Sequence, residues 1–225
     1  MPNWVRNQVT ITGDPEKVEA LKKQVGASTQ IPGVEYVKDS EGKMVKNEDG
    51  TDWLTTPITH SEDSPIFSFW NVIQPTKDEY ESYANQGWYD WNVANWGCKW
   101  DANDIEEVDD SAGHWHVSFD TPWASPTEVF QALSLQHPDV TICAEWTEEQ
   151  GYGAEEVFQE GSYSTIREWD IPQSHEDYEE VFGEGGCYCS YAGDDEENYP
   201  FDDCPRSGDD TRVAVAELEK VSELI

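Results

Sequence analysis

Along residues 3–12, Val9 and Ile11 alternate with Gln8, Thr10 and Thr12, which is the period of a strand with one buried face. Gly13, Asp14 and Pro15 then supply a turn, an N-cap and a proline at the first helical position. Val18, Leu21 and Val25 recur at spacings of three and four, so a helix is predicted over 15–25. From 26 to 65 the pattern dissolves into Gly, Ser, Thr, Asp and Lys with isolated apolar residues. A structureless loop of that length is rare inside a compact domain. The stretch therefore reads as an insertion, with a hairpin around Val34 to Val45.

Order resumes at IFSFWNVIQP (66–75), whose aromatic and β-branched content predicts a second strand closed by Pro75. Residues 76–87 carry a Thr cap, an acidic first turn and a Gly stop, the marks of a short helix. WYDWNVANWGCKWDA (88–102) packs four Trp and one Tyr into fifteen residues and is expected to cross between strands as a Trp-rich strand or loop. Residues 105–108 and 115–119 read as strands joined by a turn at 109–113. Ser125-Pro126-Thr127-Glu128 then opens a second main helix through Val129, Phe130, Leu133 and Leu135, ending near His137-Pro138. Strands are expected at 140–149, 154–163 and 165–171.

Reduced to its skeleton, this is the βαββαβ order of an α+β ferredoxin-like fold. The expectation is an antiparallel sheet with helices on one face, extra strands and an acidic C-terminal extension. Residues 1–172 form the domain, with the insertion at 26–65. Residues 173–210 hold 13 acids against one Arg and read as a disordered acidic linker. A short helix is expected over 211–225, through Val215, Leu218, Val221 and Leu224.

Composition alters this picture in one respect. The chain has 225 residues with 48 Asp plus Glu against 13 Lys plus Arg, a formal net charge of −35, and Leu, Ile, Val and Phe number only 41. Those figures fall in the range of disordered chains. Against them stand 11 Trp and 10 Tyr, because each buried aromatic removes about 150–250 Å² from water. A folded, aromatic-rich core is the consequence. Such a charge is repelled by phosphate backbones and anionic membranes, so direct nucleic-acid binding and membrane association are not expected. No apolar run approaches a bilayer span, and MPNWVRNQVTITG lacks the apolar stretch of a signal peptide. The expected location is the cytoplasm of a host cell, with five scattered Cys as reduced thiols.

The opening MPNWVRNQVTITG, the strand FSFWNVIQP, the block WYDWNVANWGCKWDA and the stretch FDTPWASPTEVFQALSLQHPDVTICAEWTEEQGYGAE together resemble the YubB ferredoxin-like domain family, encoded by plasmids and bacteriophages. The NWG-x-KWD block and the TPW-x-SP element make the resemblance specific over 1–172, outside 26–65. It implies a mobile-element or viral accessory protein with no assigned biochemical activity. The acidic extension and Cys98, at a position where Thr is expected, depart from the pattern.

Asn95, Trp96, Gly97, Lys99, Trp100 and Asp101 form the leading candidate binding patch, since a Gly among Trp residues lets a ligand or backbone approach closely. The competing reading packs Trp96 and Trp100 on the sheet and pairs Lys99 with Asp101 or another acid. Trp123, between Pro122 and Pro126, reads either as a core lid or as an aromatic shelf for a peptide. His114 and His116 share a strand face, but two ligands do not make a metal site. Cys187, Cys189, Cys204 and His175 have spacing unlike zinc sites, and no metal or cofactor is expected. No G-x-S-x-G, P-loop, GxGxxG, H-E-x-x-H or EF-hand spacing occurs, so an enzyme is not expected.

The sequence thus points to a non-catalytic phage, virus or plasmid accessory protein that engages a host or element-encoded protein. Two alternatives stand beside it: an acidic DNA mimic that inhibits a host nucleic-acid-binding defence factor, and an enzyme of unknown reaction. Outside 173–210 the chain still carries 35 acids against 12 bases, net −23. Charge so diffuse suits adaptation to molar salt better than mimicry, although nine Lys against four Arg is unlike a strong halophile.

Overall fold

The structure, a computed structural model, describes residues 2–48, 50, 53–172 and 174–182. Contacts divide the chain into two units, one of 1–149 with 153–168 and the other of 150–152 with 169–225.

In the first unit, strand β1 (Trp4–Gly13) buries Val5, Asn7, Val9 and Ile11 on one face, as its alternation requires. Helix α1 (Pro15–Val25) starts where the Asp14 carboxylate accepts the Glu16 N–H at 3.0 Å, and it buries Val18, Leu21 and Val25. Strands β4 (Asn103–Ser111) and β5 (His114–Pro122) form the next hairpin. Helix α4 (Thr127–Gln136) returns the chain to β6 (Val140–Glu148), and β7 (Gly153–Gln159) and β8 (Ser162–Trp169) follow. The sheet order is β4-β5-β1-β6-β7-β8. Its first four strands have the ferredoxin-like arrangement, with β1 central and antiparallel to both neighbours, Val9 lying opposite Val117 and Ala144. β7 and β8 are the expected extra strands.

The insertion is a two-stranded arm. β2 (Thr29–Tyr36) pairs with β3 (Thr55–Glu62), and bridges Lys38↔Met44 and Lys46↔Trp53 continue it outward. Its ends therefore pair much farther apart than a hairpin confined to Val34–Val45 would allow.

Residues 66–75 are not a strand. Phe67 and Phe69 are buried, Phe67 against Phe119 at 5.4 Å between ring centres, and Phe69–Asn71 form one 3-10 turn. β-propensity measures how well a side chain packs on a half-buried surface, and these rings found that packing beneath the helices. Their backbone donors turn to a side chain instead of a ladder, with Asp101 accepting the Phe69 N–H at 2.7 Å.

The expected helix over 76–87 does not stop at Gly87. A short turn, α2 (Tyr80–Ser82), runs through a π-type turn (Tyr83–Gly87) into α3 (Trp88–Trp96). A Cβ on Gly87 would lie 2.6 Å from the Ser82 carbonyl oxygen, so glycine here permits the wide turn rather than ending the helix. The Trp-rich block is therefore helical up to Trp96. The Ser125 hydroxyl, at the position where Ser125-Pro126-Thr127-Glu128 would place a helix cap, has no hydrogen-bond partner among the described residues.

In the second unit, the described part of the acidic extension includes helix α5 (His175–Phe182), where a disordered linker was expected. The Ser174 hydroxyl accepts the Asp177 N–H at 3.0 Å, and acids in the first turn suit a helix N-terminus. The remainder of 173–210, the helix expected at 211–225, and Cys187, Cys189 and Cys204 lie outside the described residues. No described helix is long and apolar enough to cross a membrane.

Candidate functional site

Gly97 ends α3 with φ +80°, and a Cβ there would collide with the Glu128 carboxylate at the start of α4. Beyond it the chain is tied down at each step. The Asn92 amide donates to the Lys99 carbonyl at 2.9 Å, and the Cys98 thiol donates to the Trp100 carbonyl at 3.3 Å. Asp101 accepts from Ser68 Oγ (2.7 Å) and from the N–H groups of Phe69 (2.7 Å) and Ala102 (2.8 Å), with Trp70 N–H farther off at 3.5 Å. Burial pushes the Asp101 carboxyl pKa up, and these donors act against that shift.

With the backbone so anchored, Lys99 and Trp100 are turned outward. Lys99 Nζ lies 4.4 Å from the centre of the Trp100 ring, 5.2 Å from Trp123 and 5.5 Å from Tyr89. Trp4 meets Trp100 at 6.0 Å, and Tyr89 meets Trp123 edge-on at 6.2 Å. Tyr89, Trp100 and Trp123 are 39%, 37% and 43% exposed. Lys99 is half-buried, and a ring over an ammonium contributes from about 0.5–1 kcal/mol when exposed to about 2 kcal/mol when desolvated. Among the described residues no carboxylate pairs with Lys99. Asp101, the expected partner, faces inward.

Trp123 has φ +72°. For a bulky residue this left-handed geometry is an outlier that costs about 1–3 kcal/mol, and it persists only where the surroundings enforce it. Three hydrogen bonds do so. The Trp123 N–H donates to the Asn3 carbonyl at 2.9 Å, the Thr121 hydroxyl to the Ala124 carbonyl at 2.7 Å, and the Asn7 amide to Thr121 Oγ1 at 2.9 Å. Asn7 and Thr121 are fully buried, so the clamp is rooted in the sheet. The ring of this left-handed residue is a shelf at the surface.

Of the residues expected in the patch, Lys99, Trp100 and Trp123 come together at the surface, while Asn95, Trp96, Gly97 and Asp101 act beneath them. Trp96 is 1% exposed, packs edge-on against Phe69 and Trp91, and donates Nε1–H to the Ile73 carbonyl at 3.1 Å. The Asn95 amide bonds the Trp91 carbonyl at 2.8 Å. Tyr89 and Trp4 were not anticipated. Trp4 could have been, since alternation along β1 places it opposite Val5, Val9 and Ile11.

Elsewhere among the described residues, several groups of reactive type are engaged or damped. His114 Nδ1 lies 3.1 Å from Asp109 and His116 Nε2 lies 2.9 Å from Gln8, so each has its own partner. No cluster of three or more His, Cys, Asp or Glu able to hold a metal occurs among the described residues. Burial pushes the Cys98 and Cys143 thiols up and the Tyr83 phenol up to about 12, which is opposite to what an activated nucleophile needs.

The family described as "Ferredoxin-like domain in Api92-like protein" matches residues 95–184. Among solved structures, the protein Api92 from Yersinia pseudotuberculosis is similar, with 13% identity and a TM-score of 0.53 over 76% of this chain and 99% of that one. The likeness is one of fold: a ferredoxin-like antiparallel sheet with a few helices. No curated protein matches the chain.

Proposed function

We propose that the chain is a non-catalytic accessory protein of a bacteriophage, virus or plasmid that binds a protein partner through the surface of Trp4, Tyr89, Trp100 and Trp123. Trp123 carries this reading. Its strained backbone and outward ring add little to the core, and strain held by a buried clamp is the mark of a site kept for contact. The mobile-element context is supported by the resemblance of the NWG-x-KWD and TPW-x-SP elements to the YubB ferredoxin-like family. The test compares the tagged full chain with its Trp100→Ala/Trp123→Ala variant in a lysate of the cell that carries the element. Capture of a defined protein by the first and its loss with the folded variant supports the reading. Equal capture by both counts against it.

DNA mimicry is the second reading, favoured by β4, an exposed edge strand bearing Asp104, Glu106, Glu107, Asp109 and Asp110. However, Arg6 sits 3.7 Å from Glu106, and Lys22 lies 3.4 Å from Glu107 and 2.6 Å from Asp110. Cations already leaning on the strand weaken its likeness to a row of phosphates. A mimic would lose its partner when these acids are made amides and keep it when Trp100 and Trp123 are removed.

A further inference from the structure

The aromatic surface already holds a cation. Three rings stand within 4.4–5.5 Å of Lys99 Nζ, inside the roughly 6 Å over which a ring face attracts an ammonium. In a chain with 48 acids, this lysine is held by rings and not by a carboxylate among the described residues. One carboxylate is placed close by: that of Glu128, an exposed residue, lies against Gly97, two residues before Lys99, and is in no ion pair among the described residues. Ring faces complement positive charge, and the net charge of −35 adds attraction at longer range.

We infer that this is a cation-binding cage, occupied in cis by Lys99, whose external ligand is a Lys or Arg side chain from a basic segment of the protein partner. The inference rests on the binding surface proposed above and names what that surface takes. Lys99 acts as the resident competitor. Tethered beside the rings, it is present at an effective concentration on the order of millimolar, and an incoming cation binds as the Lys99 side chain swings out to solvent. No bond is made or broken.

A monovalent probe separates the cage from general attraction to an acidic protein. N-acetyl-trimethyllysine amide is titrated into the full-length wild type and into the Lys99→Ala and Lys99→Ala/Trp123→Ala variants, with the indole N–H resonances of Trp100 and Trp123 followed by NMR at constant ionic strength. Lys99→Ala should bind roughly tenfold more tightly than wild type, as expected for removing a tethered competitor. The double variant should lose the saturable shift. Affinity that does not rise in Lys99→Ala, or binding that survives in the double variant, overturns the inference. Lys99→Ser serves as a second opened cage, with dispersed indole resonances as the check on folding. If Trp123-dependent capture of a protein persists while Lys99→Ala gains no affinity for the probe, the cation site is wrong and the binding surface stands. If Lys99→Ala gains affinity while capture is indifferent to Trp123, the cation site stands and the proposed function is wrong.

Discussion

The Asn7 side-chain amide donates to the Thr121 hydroxyl across 2.9 Å, and that hydroxyl donates in turn to the Ala124 carbonyl across 2.7 Å. A residue buried in the central strand thereby fixes the loop that presents Trp123. Thr121→Val keeps the shape but leaves the Ala124 carbonyl without its donor and the Asn7 amide with only the Val5 and Phe119 carbonyls, at 3.0 and 3.3 Å, at a cost of about 1–3 kcal/mol. Urea unfolding should show that loss, and the Trp123 indole resonance should shift or broaden as the loop loosens. An unchanged indole resonance would mean that the clamp does not position the ring.

Trp96 and Lys99 lie three residues apart in chemically similar sequence but should respond very differently to truncation. Trp96→Ala removes a fully buried ring and should cost about 3–5 kcal/mol. Lys99→Ala removes a half-buried cation from three rings and should cost less, about 1–2 kcal/mol. Both are read from denaturant midpoints.

Legibility in the sequence followed periodicity. β1, α1, β5, α4 and β6 each carry a clean period, while β4, along which only Ile105 is partly buried, is marked by its turn into β5, and together they fix the ferredoxin-like order. The segment 66–75 misled because its aromatic, β-branched content suits any half-buried surface, and Asp101, thirty residues on, supplies what a neighbouring strand would have. The helix at 88–96 was present in the spacing of Trp88, Trp91, Asn92, Asn95 and Trp96, but Gly87 read as a stop because a π-type turn leaves no local signature. At the site, Lys99 and Trp100 were found from composition. Their meeting with Tyr89, Trp123 and Trp4 depends on a left-handed residue and on tertiary packing, neither of which periodicity encodes.

Stability should rise as pH falls toward the upper edge of the carboxylate range. Burial raises the pKa of Asp101 and of Glu156, so the folded chain binds protons there that the unfolded chain has released. The slope of unfolding free energy with pH is then negative in that window. Each contribution is present at low pH and is lost as pH rises through the raised folded-state value. Glu79, held down by the Thr76 hydroxyl and amide, has the opposite slope at lower pH, and His137, whose pKa burial lowers, also has the opposite slope and offsets part of the trend between pH 5 and 8. Thermal melts at pH 5 and pH 8 should give the higher Tm at pH 5, and Glu156→Gln should narrow the difference.

Salt should act in the same direction. A net charge of −35 makes the compact state repel itself, and screening shortens from about 10 Å at 0.1 M to about 3 Å at 1 M. Tm should climb across 0.1, 1 and 3 M KCl, with sulfate exceeding chloride at equal ionic strength. A flat Tm with full native circular dichroism at 0.1 M would rule out adaptation to brine.

The unfolding free energy of Trp123→Gly beside wild type tests most directly whether the Trp123 ring is held outward for contact and not for stability. Glycine adopts φ +72° without strain, so relief of about 1–3 kcal/mol offsets the lost ring contacts and the added freedom of the unfolded chain. The predicted result is a stability within about 1 kcal/mol of wild type. A loss of about 3 kcal/mol or more, the scale of deleting a buried aromatic, would make Trp123 a structural element and contradict the account.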